Sequence, residues 1–140
     1  MNTGTVAHPR RRLLTVTLAL AQILLALSFG VAGAMKLTLP MDALAAQMTW
    51  VPAVPAPLVR FIGAAELAGA LGLLLPWLTR IQPRLITAAA IGLVLVMMLA
   101  SAFHLSRGEA SLVPVNLVLA ALAAFVAWGR GTAVPIRPRG

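Results

Sequence analysis

The sequence predicts an all-α fold: an integral membrane four-helix bundle with both termini in the cytoplasm. Three observations lead there. Only 10% of the 140 residues are charged and 61% are hydrophobic, whereas a soluble domain carries about 25% charged residues. Four apolar runs, at residues 13–35, 59–77, 85–105 and 112–128, approach the roughly 20 residues that cross a bilayer. Basic residues collect at alternate ends of those runs, the pattern that orients membrane helices.

The elements follow in order. Residues 1–12 read as a basic cytoplasmic tail. The membrane domain spans residues 13–130, with helices at about 13–36, 58–77, 84–105 and 112–129. Residues 131–140 form a second basic tail. Pro52, Pro55 and Pro57 precede the second run, and Pro76 reads as its end. Pro83 opens the third run, since proline is tolerated in a first helical turn. Arg107-Gly108-Glu109 separates the third from the fourth.

Arg10, Arg11, Arg12, Arg80, Arg84, Arg130, Arg137 and Arg139 fall on one side of the bundle, and Lys36, Arg60 and Arg107 on the other. Eight against three places both termini in the cytoplasm of a multi-pass cell-membrane protein. Trp77 and Trp128 mark the inner interface and Trp50 the outer one, as in an aromatic belt. A signal peptide is the alternative for the first run. Arg10–Arg12 resembles an n-region and Val31-Ala32-Gly33-Ala34 a cleavage site. The run is longer than the 7–15 residues, roughly, of an h-region, which favours a retained helix.

Only the first connection is long. In it Met41, Leu44, Ala45 and Met48 recur at helical spacing before Trp50. A short helix, lying on the outer surface or dipping into the site, and an irregular apolar loop fit this pattern equally.

Glu66 is the most informative residue, because a charge within a membrane segment costs several kcal/mol and is functional by default. It lies six residues beyond Arg60, about 9 Å deeper at ~1.5 Å per residue. Lys36 ends the first helix on the outer side, His104 ends the third, and Asn116 lies one turn into the fourth. Every helix thus contributes a polar group to the outer half, while the inner half holds only scattered Gln22 and Thr87. Small residues flank the polar ones: Gly63, Gly69 and Ala70 beside Glu66, Ala32 and Gly33 beside Lys36, Ala100 and Ser101 beside His104. Such residues allow close helix approach, so Glu66 is expected to face the bundle, within reach of Lys36 or His104. Simpler readings stand beside this one. Lys36 and Arg60 can snorkel to the interface, His104 can sit there, and Asn116 can be inter-helical glue.

Several chemistries are excluded or disfavoured. With no cysteine, thiolate nucleophiles and Cys-ligated metals are absent. One carboxylate and one histidine fall short of a zinc set, because His8 belongs to the tail. Haem with paired axial ligands has only His104. No phosphate-cradling loop or Ser-His-Asp set is present. The net charge of +8 sits at helix ends rather than along a basic, aromatic-bearing face, which argues against nucleic acid.

The blocks Ala32-Gly33-Ala34-Met35-Lys36 and Arg60-Phe61-Ile62-Gly63-Ala64-Ala65-Glu66, continuing to Pro76, with His104, Arg107-Gly108-Glu109 and Asn116, resemble the DoxX-like family of small four-helix membrane proteins. The likeness covers residues 13–130, and the second-helix block is its most specific part. It implies a link to membrane redox physiology, including sulfur and quinone oxidation and oxidative-stress tolerance. Some similar four-helix membrane proteins work through cysteine pairs, so the resemblance does not extend here to thiol–disulfide chemistry.

Three functions compete. In the first, the protein is an accessory of a redox system, with redox partner proteins and an outer-half pocket for a small ligand such as a quinone. Lys36, Arg60, Glu66, His104 and Asn116 then bind the ligand: Lys36, Arg60 and His104 donate hydrogen bonds, and Glu66 holds or passes a proton. In the second, the bundle anchors partner proteins and the polar set only locks its helices. The third is a small transporter, which needs a homo-oligomer and has no evident inverted repeat. An open cavity reaching Glu66 would favour the first; closed packing around a paired Glu66 would favour the second.

Overall fold

The computed structural model describes residues 9–139. His8 and the rest of residues 1–8 lie outside them. Among the described residues the chain is helical, with no strand. The helices are α1 (Pro9–Thr38), α2 (Met41–Gln47), α3 (Ala56–Thr79), α4 (Arg84–Ser106) and α5 (Val113–Trp128). Short 3-10 turns at Val51–Ala53 and Ala110–Leu112, and a π turn at Gly129–Ala133, complete the path.

Four helices are long and apolar enough to cross a membrane: α1, α3, α4, and α5 with its flanking turns. They pack as a ring, α1 on α3, α3 on α4, α4 on α5 and α5 back on α1. Because direction alternates, the first and last described residues share one end, here the near end. The α1–α3 and α4–α5 connections share the far end.

Leu25, Phe29, Leu73, Ile86, Leu93, Ala123 and Val126 fill the core. Leu20, Leu27, Leu75, Leu95 and Val118 lie exposed on the outside of the ring. In water such a surface would aggregate, but in a bilayer it faces chains as apolar as itself.

The helices outrun the apolar runs. α1 begins at Pro9 rather than residue 13, so Arg10, Arg11 and Arg12 are helical. Their long stems can follow the helix surface while the guanidinium groups reach water. Pro76 does not end α3, which runs on to Thr79 with Pro76 buried inside it. Proline removes only its own N–H bond, here the one to Gly72 O, and the helix carries on for about one more turn. Arg80, in the left-handed region at φ 59°, closes the helix through its N–H to Pro76 O.

The first connection adopts the helical alternative. Leu44 of α2, Val51 and Val59 are buried together, with Leu39, Met48, Trp50 and Val54 packed around them. The connection is therefore a packed cap over the far end of α1 and α3.

Candidate functional site

The site begins with two glycines. A Cβ on Gly33 would stand 2.7 Å from both Gly63 O and Leu67 N, and one on Gly63 would stand 2.7 Å from Lys36 Cβ. Backbone therefore meets backbone where α1 crosses α3, the contact that small residues allow between membrane helices.

One turn beyond each glycine, the crossing brings Lys36 and Glu66 together. Both are buried, and Lys36 Nζ lies 2.6 Å from Glu66 Oε2. Lys36 thus turns inward rather than snorkelling. The charge within the membrane segment has its counter-charge, which a buried carboxylate requires.

Arg60 has a different task. Its guanidinium donates to Lys36 O and, at 2.8 Å, to Leu39 O. The helical partner of Lys36 O would be the N–H of residue 40, which is Pro40 and has none. Arg60 thus satisfies carbonyls at the α1 C-terminus, where a cation also suits the helix dipole. It comes to the same end as the other four polar residues, but it does not line the cavity they share.

His104 pairs with Glu109 and not with Glu66. After α4, the turn at Gly108 has φ +73° and folds the chain back. Glu109 N–H donates to His104 O at 2.9 Å, and Glu109 Oε2 lies 2.7 Å from His104 Nδ1. Arg107 Nε donates to Glu109 Oε1 at 3.0 Å. This hydrogen bond first, and the one to His104 second, hold the Glu109 carboxyl below its ordinary range. With Nδ1 engaged, Nε2 is the His104 nitrogen left for a ligand.

A cavity of about 390 Å³ opens in the far half. The reason lies in the α3–α4 contact. Toward the near end, Gly69 meets Leu93 and Gly72 meets Ala89 closely. Toward the far end, bulkier Phe61, Ile62, Val96, Leu99 and Phe103 line an opening instead. Lys36, Glu66, His104 and Asn116 supply its polar wall. Trp50 stands edge-on to Phe103, with ring centres 6.4 Å apart, and lies 5.9 Å from Lys36 Nζ. Asn116 is only 9% exposed, and its Nδ2 has no hydrogen-bond partner among the described residues. A buried donor without a partner costs about 1–3 kcal/mol, so this wall is one hydrogen bond short.

A sequence model of the DoxX-like family matches residues 20–126. The chain belongs to the DoxX-like family. No curated protein and no solved structure matches it. With its four apolar helices, this DoxX-like chain is a multi-pass membrane protein. The matched stretch contains Lys36, Arg60, Glu66, His104 and Asn116.

The near half of the DoxX-like bundle corrects the expectation of merely scattered polar groups. Gln22 and Arg130 are both buried. Arg130 Nε donates to Gln22 Oε1 at 2.5 Å, and Gln22 Nε2 donates to Leu73 O at 2.9 Å. Leu73 lies just before Pro76, where the proline ring disturbs the helix ladder. Arg130 reads from sequence as a topology charge, and nothing local marks it as buried. Among residues at the far-end site, Glu109 and Trp50 also escape the sequence reading. Glu109 had a signal, a return after Gly108 five residues beyond His104, whereas Trp50 reads only as an interface marker.

Proposed function

We propose that this protein is an accessory component of a membrane redox or stress-response system. The far-end cavity takes a small oxygen-bearing ligand such as a quinone. The far end is the outer half, because the excess of basic residues lies at the near end. One observation supports the reading most: the unpartnered Asn116 Nδ2, buried in a cavity that also bears Lys36, Glu66 and His104. A neutral carbonyl oxygen could accept from Asn116 without displacing the Lys36–Glu66 pair. His104, steadied by Glu109, offers a second polar group. The remaining wall is apolar and aromatic, as suits a quinone ring.

Native mass spectrometry of the protein released from its own membranes tests this. A quinone-sized adduct, lost in Asn116→Leu, is expected. An adduct-free spectrum, with added quinone also failing to bind, would refute it.

The anchor reading keeps one specific support. Glu66 is both cavity-lining and paired with Lys36, so open and closed features coexist. If the pair only locks the helices, Glu66→Gln lowers thermal stability and leaves function unchanged.

A further inference from the structure

Three lining residues of the far-end cavity lie on the outside of the bundle. Phe61 is 70% exposed, Leu99 62% and Leu58 43%. Leu58 and Phe61 belong to α3 and Leu99 to α4. All three lie in spans long enough to cross a membrane, so their outer surfaces face lipid chains. The polar wall stands on the other helices as well: Lys36 comes from α1 and Asn116 from α5. On the far-end side, Trp50, Val54 and Phe103 line the cavity, and the packed cap of α2, Leu44 and Val51 lies over the helix ends.

The cavity therefore has a polar wall within the ring and an apolar mouth between α3 and α4 at the lipid face. Resting on the reading of the cavity as a ligand site, we propose that its ligand is lipid-borne and enters sideways from the bilayer through the mouth formed by Leu58, Phe61 and Leu99. The bound molecule is an amphiphile with one polar head. The head lies at Lys36, Glu66, His104 and Asn116. Its apolar tail leaves between α3 and α4 and continues into lipid.

One observation and two physical arguments favour this over entry from water. The mouth is lined by large apolar side chains with no charge among them. The tail would exchange lipid chains for side chains of equal polarity, so it needs no stabilising contact of its own. The head alone would exchange surroundings, leaving lipid for a wall with an unmatched donor.

The test uses the full-length protein in phosphatidylcholine nanodiscs. The first probe is a benzoquinone carrying an isoprenoid tail with a diazirine on its first unit. The second is the same head without a tail, read by quenching of Trp50 in a chain carrying Trp77→Phe and Trp128→Phe. Photolysis of the first probe should label Leu58, Phe61 or Leu99, and excess unlabelled tailed quinone should abolish that label. The second probe should quench Trp50 saturably. Saturable quenching with competed label only at Trp50, Val54 or α2 would overturn sideways entry and leave the ligand reading standing. The same holds for saturable quenching with label spread, uncompeted, over all lipid-facing helices. Absence of both saturable quenching and competed label would overturn the ligand reading and the portal with it.

Discussion

Lys36 and Glu66 meet at 2.6 Å one turn from the point where Gly33 and Gly63 let α1 and α3 touch through their backbones. The ion pair depends on the crossing, since any larger residue there would move the two helices apart. Lys36→Met or Glu66→Leu alone leaves one buried charge without a partner, which typically costs about 3–5 kcal/mol. The double variant should recover much of that loss. Thermal unfolding of the four proteins in detergent gives the coupling directly; additive losses would show that the pair is not coupled.

Gly63→Ala should lower stability by about 1–3 kcal/mol, because the new Cβ would stand 2.7 Å from Lys36 Cβ and 3.0 Å from Gly33 O. Gly92→Ala is the control, since a Cβ there has no heavy atom within 4 Å. Equal melting temperatures for the two variants would contradict the close crossing.

The α4–α5 turn should respond to acid. Glu109 is held below its ordinary value of 4.5 by Arg107 first and His104 second. A depressed folded-state value contributes stability above the unfolded value that is lost as pH falls through the folded one. Corrected for the intrinsic pH dependence of amide exchange, the protection of residues 107–112 should therefore be steady above about pH 4.5 and fall below it. Glu109→Gln should abolish that dependence. Persistence of the acid effect in Glu109→Gln would assign it elsewhere.

At the near end, Gln22→Leu removes the acceptor of Arg130 and the donor to Leu73 O. A loss of about 1–3 kcal/mol is expected for a buried polar group left unmatched. An unchanged melting temperature would mean that Arg130 finds other partners.

The four spans were legible because apolar length reports on bilayer crossing, although Pro76, which reads as an end, lies inside α3. The placement of Lys36, Glu66, His104 and Asn116 at one end was legible too, since helix direction and depth fix the level of a residue. Pairing was not. Arg60 lies at the same end as Glu66 but about 9 Å shallower, and it serves the carbonyl that Pro40 leaves open, while His104 turns to Glu109 through a reversal at Gly108. Both outcomes depend on local backbone geometry rather than on depth. Gln22 and Arg130 show the same limit across a sequence separation of 108 residues.

Binding of a tailed quinone to wild-type protein and to Asn116→Leu, followed by quenching of Trp50 in the Trp77→Phe, Trp128→Phe background, tests the central claim most directly. Saturable quenching in the wild type, weakened about tenfold in Asn116→Leu, is expected for the loss of one buried hydrogen bond. Quenching that is linear in quinone concentration and identical in the two proteins would contradict a ligand site at the far end.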